Sequence, residues 1–335
     1  MRNFLLSGFI LSASFAGAQD VHFSQFYMNP VYLNPALTGS FDGQWRFSYN
    51  QRQQWRSVSK GPYNTIGISA ENKQGLLLPN LYHAINIFHD NAGDGNYRTT
   101  EVGLTTAYHL KLGADSIHSI TPGISLQFNH RFIDFSKFSF DNQFNGYYYD
   151  ESLPNFEVPE ASSRANFNCA AGLLYSYKPS AKKMISIGAG VFNITQAKQS
   201  FYGDDGIRRD VRFLFNARAL WPIKEKWDIQ PAIMSQFQGK FMEVIFGTNV
   251  RYTWKERRDE YIAPYAGIYF RNKDAFYVVA GAYYNNWIAG VSYDFNVSQL
   301  FPASHLRGGI EFSLQYILSI YKPRVIQYRI CPDYL

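Results

Sequence analysis

His89 and Asp90, with Asp94 close behind, form the one cluster whose residue types suggest acid–base chemistry. An Asp–His pair on an outer loop could activate water or a hydroxyl. The same stretch, Asp90-Asn91-Ala92-Gly93-Asp94-Gly95-Asn96, also reads as a plain polar turn. It superficially suggests calcium, but Ala92 stands where an EF-hand loop needs a ligand. The seven histidines show no close metal-ligand pairing, and no Gly-x-Ser-x-Gly or Gly-rich phosphate loop occurs. No catalytic, cofactor or metal residue is therefore assigned, and the chain reads as non-enzymatic. The basic runs Lys182-Lys183, Lys224–Lys226 and Lys255–Arg258 are partly mixed with acids. They suit solvated turns or faces toward periplasmic partners, and nucleic acid is not expected.

The elements that hold such residues are written in the composition. The 335 residues carry a net charge of +6, yet only 17% are charged and 18% are aromatic. Typical soluble domains have about 25% charged residues. Disorder would need high charge and few rings, and a coiled coil would need Ala, Glu, Lys and Leu in excess. Two cysteines, Cys169 and Cys331, exclude a disulfide scaffold or a Cys-based zinc site. Met1-Arg2-Asn3, the apolar run Phe4 to Phe15 and Ala16-Gly17-Ala18 make a secretory leader, residues 1–18, with a mature chain from Gln19. Beyond it no stretch approaches the roughly 18 apolar residues of a membrane helix, so a membrane form must be a barrel.

Period-two alternation confirms that direction. Val102, Leu104, Thr106, Tyr108, Leu110 and Leu112 share one face; Glu101, Gly103, Thr105, Ala107, His109 and Lys111 share the other. Phe213 and Phe215 oppose Arg212, Asn216 and Arg218 in the same way, and Phe246 and Val250 oppose Asn249 and Arg251. Fourteen such segments start near 43, 62, 81, 100, 118, 165, 183, 211, 227, 242, 261, 275, 286 and 307. Long connections near 131–164 and 195–210 alternate with short ones such as 179–182 and 285–286. This predicts an all-β transmembrane antiparallel β-barrel of about 14 strands, both termini periplasmic, over residues 41–319, with a periplasmic tail at 320–335. The secreted all-β domain with an aromatic core is the alternative.

Charge on a lipid-facing strand position costs about 2–4 kcal/mol at mid-depth. Arg212, Arg218, Arg251, Glu243 and Glu311 must therefore point into the lumen, where they could pair. Trp45, Tyr82, Phe88, Tyr147 to Tyr149, Trp221, Trp227, Trp254, Tyr261, Tyr283, Tyr284 and Trp287 lie at segment ends, as aromatic girdles do.

Between leader and first strand, residues 19–40 are expected to be a periplasmic N-terminal segment. It contains Phe23-Ser24-Gln25-Phe26, then Asn29-Pro30 and Leu33-Asn34-Pro35-Ala36-Leu37-Thr38-Gly39. Two Asn-Pro pairs predict an extended, turn-like, non-helical path. Its rings need burial, against the periplasmic mouth or inside the lumen. The opening motif resembles that of the PorP/SprF family of type IX secretion proteins from Bacteroidetes. Tyr49-Asn50-Gln51-Arg52-x-x-Trp55, Ala107-Tyr108-His109-Leu110 and Cys331-Pro332 extend the resemblance over nearly the whole mature chain. The ending Asp333-Tyr334-Leu335 departs from the family's usual Arg-Phe. The resemblance implies an outer-membrane barrel needed for export or surface attachment of particular cargo, including gliding adhesins with type B sorting domains. Its implied partners are outer-membrane lipid, those sorting domains and the periplasmic ring proteins of the machine. Composition and resemblance together predict a partner surface that includes Phe23, Gln25, Phe26, Asn29, Pro30, Asn34 and Pro35. Two other readings remain open: a 14-stranded porin-like or fatty-acid-type transporter with an N-terminal hatch, and a surface hydrolase. The transporter needs a continuous apolar path through the lumen; the hydrolase needs its His and acids on facing strands near the outer rim.

Overall fold

The computed structural model describes residues 20–319 except 21, 57–60, 76, 94, 155–156, 158, 258 and 299–305. The leader at 1–18, the tail at 320–335 with Cys331, and Asp94 and Arg258 lie outside the described residues.

Sixteen strands pair in chain order: β1 Trp45–Gln54, β2 Tyr63–Asn72, β3 Leu81–Ala92, β4 Tyr97–Tyr108, β5 Leu110–Leu112, β6 His118–Phe132, β7 Ser163–Ser180 and β8 Lys183–Phe192, then β9 Arg212–Lys224, β10 Trp227–Gln238, β11 Phe241–Tyr252, β12 Lys255–Glu256, β13 Tyr261–Arg271, β14 Ala275–Tyr284, β15 Trp287–Asn296 and β16 Arg307–Leu318. β5 continues β4 beyond a break at His109, and β12 continues β11 beyond Thr253-Trp254, so the wall has 14 staves. Every neighbour is antiparallel. β16 returns to β1 from Trp45↔Leu318 to Gln54↔Gly309, which closes the barrel and leaves no free edge. All 14 segments expected from the alternation are present, including those near 62, 227 and 261 that carry Gly or Pro.

Alternation survives because each stave separates lipid from lumen. Leu104, Phe213, Phe215, Phe246 and Phe312 are exposed on the outside, while Glu101, Arg212, Asn249 and Glu311 are buried inside. Two mouths result. Segments 133–162 and 193–211 rise from one; 181–182, 225–226 and 285–286 close the other. Trp45, Trp221, Trp227, Trp254 and Trp287 stand at stave ends of the short-turn mouth. Phe213, Phe237 and Phe270 stand at the long-loop end. Rings at these heights match the two polar–apolar boundaries of a bilayer.

Several expected girdle residues are not there: Tyr147 to Tyr149 lie in the long connection between β6 and β7, and Tyr261 and Tyr283 take the inward phase of β13 and β14, where their rings meet edge-on at 6.5 Å. Tyr82 and Phe88 fall on the inward phase of β3 and are buried. Each instead meets a ring or backbone of the N-terminal segment. His89 and Asp90 also change place: they sit within β3, not on a loop, and successive strand residues face opposite ways. His89 accordingly bonds Thr100 and Asp90 bonds Thr65, so they form no catalytic pair.

Candidate functional site

Asp20 and residues 22–41 lie inside the lumen and run from one mouth to the other, rather than standing in front of the barrel. Asp20 meets Asn193, Arg209 and Gln238 at the long-loop end. Arg46, near the opposite end of its strand, reaches the carbonyls of Leu37 and Ser40. The physical reason is the sequence's own: the rings need burial, and a barrel of this size otherwise encloses water.

The sequence led us to expect an extended, non-helical path, but the two Asn-Pro pairs do not forbid helix. Pro30 opens a single α-helical turn, α1 (Pro30–Leu33), and Pro35 opens a 3₁₀ turn to Leu37. Proline fits the first helical position because its missing N–H has no partner to lose there. Short turns between prolines let the segment thicken and fill the bore.

Three layers hold it. In the first, near the long loops, Arg52 of β1, Glu243 of β11, Arg271 of β13, Asp294 of β15 and Glu311 of β16 converge. Arg52 bonds Asp294 at 2.8 Å, and Arg271 lies 3.2 Å from both Asp294 and Glu243. The wall thus brings three buried acids and two guanidinium groups together, and Asp274, half-exposed at the turn after β13, adds a 2.9 Å contact to Arg271. The odd acid, Glu311, is satisfied by the segment: the N–H groups of Ser24 and Gln25 donate to it at 2.6 and 2.9 Å. The Ser24 carbonyl accepts from Tyr277 (2.6 Å), and the His22 carbonyl accepts from Arg52 (2.6 Å). A buried carboxylate without such donors would be costly. His22 Nε2 lies 2.8 Å from Glu243; burial holds the imidazole below its ordinary pKa despite that carboxylate.

The second layer is aromatic. Phe26 and Tyr27 pack on Tyr269, whose ring stacks on Tyr27 at 5.7 Å and on Tyr277 at 5.2 Å. Leu214, Met234 and Ile245 complete it. On the facing wall Tyr32 stacks on Phe88 at 4.7 Å, with Phe23 edge-on at 6.1 Å. Aromatic pairs add about 0.5–1.5 kcal/mol beyond area burial.

The third layer is a cleft of glycines. Asn34 has no exposed surface; its Nδ2 donates to the Ala189 carbonyl and to Asn216, and its Oδ1 accepts from Ala36 N. Gly123, Gly172 and Gly188 on adjacent staves make room for it. A Cβ on Gly123 would sit 2.6 Å from Ala36 N, and one on Gly172 would collide with the Asn34 amide. Below, Gly39 N donates to Glu71, which is paired with Arg46 at 2.6 Å.

All seven residues expected at a partner surface are brought together here, and each is buried against the barrel wall: Phe23, Gln25, Phe26, Asn29, Pro30, Asn34 and Pro35. The lumen charges behave as the alternation required. Arg212, Glu243 and Glu311 are buried, Arg251 pairs with Asp228 at 2.7 Å, and Arg218 reaches Gln230. Sequence reasoning missed Arg46, Arg52, Glu71, Arg271 and Asp294. The signal existed: Arg46, Ser48, Asn50 and Arg52 are the even, polar phase of β1. It missed the glycines as well, because a strand glycine reveals no partner until the fold supplies one. No group of three or more His, Cys, Asp or Glu side chains among the described residues is placed to hold a metal ion.

A closed antiparallel wall, apolar and ring-banded outside and polar inside, defines an outer-membrane β-barrel, here filled by its own N-terminal segment. The chain belongs to the PorP/SprF family of type IX secretion system membrane proteins, whose model matches residues 15–316. The Ralstonia pickettii toluene transporter TbuX superposes with a TM-score of 0.53 at 10% identity, covering 86% of this chain and 94% of that one. The Pseudomonas putida toluene transporter TodX gives 0.48 at 9% identity, covering 89% and 94%. The KdgM porin gives 0.39 at 10% identity, covering 82% and 99%. At such identities only the fold is shared, and of these three TbuX is the one whose superposition supports it. No curated protein matches the chain.

Proposed function

We propose that this protein is a plugged, non-conducting docking barrel of the type IX machine, which serves export or surface attachment of cargo bearing sorting domains and contacts the periplasmic ring. The observation that carries this reading is the lumen. A pore needs a path, and a fatty-acid-type transporter needs an apolar one. Here the bore is crossed by buried ion pairs joined to the segment by backbone hydrogen bonds. Family membership supplies the machine; the filled lumen argues that the barrel works through its mouths. The short-turn mouth faces the periplasm, as short turns do in outer-membrane barrels. The seven buried motif residues then act on partners indirectly, by fixing the shape of the mouths.

The test has two readouts. Wild-type protein in planar bilayers should pass no steady current, and deletion of Phe23 to Asn34 should open a channel in a barrel that still shows heat-modified gel mobility. In the native host the same deletion should abolish cargo export at normal barrel levels. A conducting wild type, or unchanged export by the truncated barrel, would overturn the docking reading and favour a transporter with a hatch.

A further inference from the structure

The short-turn mouth is not filled. Below the glycine cleft a cavity of about 500 Å³ opens, and its lining includes Arg46, Lys73, Lys111, Lys178 and Arg218 with Asp42 as the one acid. Arg46 is neutralised by Glu71 from behind, and Lys178 shares Asp42 at 2.6 Å. Lys73 donates to the Phe41 carbonyl at 2.6 Å and lies over the Phe41 and Tyr82 rings at 5.7 and 5.8 Å, and no carboxylate pairs with it among the described residues. Burial, reinforced by Lys178, Arg46 and Lys111 and only partly opposed by Asp42, pulls the Lys73 ammonium below its ordinary pKa. Positive charges have been gathered here without a matching set of acids, and low-dielectric walls concentrate such a field. The floor is apolar: Tyr27, Met28, Met184 and Ile317 line it.

We propose that this vestibule receives an acidic peptide segment of a periplasmic protein, its carboxylates held by Lys73, Lys111 and Lys178 and one aliphatic or aromatic side chain set on the floor. This rests on the docking reading above and names the chemistry of the partner. Size and shape select a peptide. Pockets of about 300–1,000 Å³ hold ligands far larger than one phosphate, which would leave the apolar floor wet. A lipid headgroup is excluded by topology, because β1 and β16 pair along their full length and the closed wall separates the cavity from the bilayer. The N-terminal segment forms part of the floor through Tyr27 and Met28, so plug and receptor are one construction.

The probe is a fluorescent acetylated peptide, Glu-Glu-Phe-Glu-Glu-Leu, titrated against the full chain in detergent. Binding should be saturable and weaken with salt. The double reversal K111E/K178E should weaken it about 10-fold or more, the expected loss when the focusing field is inverted. K182E is the control. Lys182 pairs with Glu256 at 2.9 Å and does not line the cavity, so its binding should match wild type. Heat-modified mobility checks that both variants are folded. Equal binding by K111E/K178E would overturn the proposal, as would no binding to wild type. So would full displacement by equimolar inorganic phosphate, since that describes an anion site without a peptide. Cargo export by K111E/K178E separates this from the reading beneath it. Lost peptide binding with unchanged export leaves the receptor standing and removes its assigned role in docking.

Discussion

The two ends of the lumen are built from the same residue types and finished differently. At the long-loop end Arg52, Arg271, Glu243, Asp294 and Glu311 are all buried, and the segment supplies the donors that the wall lacks. At the short-turn end Lys73, Lys111 and Lys178 face a cavity with Asp42 alone to offset them. Buried charge without a partner is strongly unfavourable, so with the segment in place every charge in this layer must be matched, whereas a bore emptied of the segment fills with water that solvates them. Charge beside an open mouth is only partly desolvated: Lys73 and Lys178 are half-buried and Lys111 is exposed, so it can stand without a full set of acids. The contrast separates charge that locks the plug from charge left available to a ligand.

The largest expected effect comes from unbalancing the locked end. Asp294 serves both Arg52 and Arg271, so Asp294→Asn takes from buried Arg52 its ion-pair partner and leaves Arg271 to Glu243 and Asp274. Breaking such a buried set costs about 3–5 kcal/mol. The urea midpoint for loss of heat-modified mobility should fall sharply. Glu311→Gln should cost less, about 1.5–3 kcal/mol, because it removes two charge-assisted bonds but leaves the cations paired. If the two variants were equally stable, the layer would not be acting as a charge lock.

Moving charge across the wall comes next. Phe215 faces lipid one residue before the lumen-facing Asn216. Phe215→Arg should block membrane assembly, with a cost of about 2–4 kcal/mol at mid-depth. Normal outer-membrane levels of that variant would mean that the phase of β9 is wrong.

A smaller effect tests the seat between the two ends. Gly172→Val places a side chain where the Asn34 amide lies. Overpacking of this kind costs about 1–3 kcal/mol, and the segment is the part able to yield. The barrel should assemble, while limited proteolysis within residues 29–38 becomes faster than in wild type. Unchanged protection would show that the cleft is not what seats the segment.

Much of the wall was legible because lipid outside and polar lumen inside impose a strict period of two. Phe213 against Arg212, or Phe312 against Glu311, needed no tertiary information. What failed had a tertiary cause. Tyr82 and Phe88 look like girdle rings until the segment gives the inside of the barrel an aromatic partner. Asn29-Pro30 and Asn34-Pro35 look like helix breakers until the first-turn position makes proline acceptable. The motif was legible as something that must be buried, and its receptor was not. The receptor is assembled from Arg52, Arg271, Asp294, Glu311 and three strand glycines that approach one another only when the barrel closes. The basic vestibule escaped notice for the same reason, since Lys73, Lys111 and Lys178 are far apart in sequence.

The smallest effect concerns the upper end of the segment, where the ends of the lumen differ most in pH response. Burial alone would raise the pKa of Asp20, but Arg209 at 2.8 Å, with Arg212 behind it, holds the carboxyl well below the usual carboxylate range. A depressed folded pKa gives stability that is present above the unfolded value, about 3.9, and is lost only as pH falls through the lower folded value. Between pH 8 and 5 the Asp20–Arg209 contact should therefore be constant. A spin label at position 22 should report the same mobility over that interval and greater mobility only in strong acid. Asp20→Asn should be loosened at every pH, by well under the effect of Asp294→Asn, because it frees one end of a segment still held by Glu311 and Asn34. The vestibule should differ: Lys73, with its pKa pulled down, loses charge as pH rises, so acidic-peptide binding should weaken on the alkaline side while the Asp20 contact does not change. If label mobility and peptide binding instead changed together between pH 5 and 8, the two ends of the lumen would be one coupled unit, and the division into lock and receptor would fail.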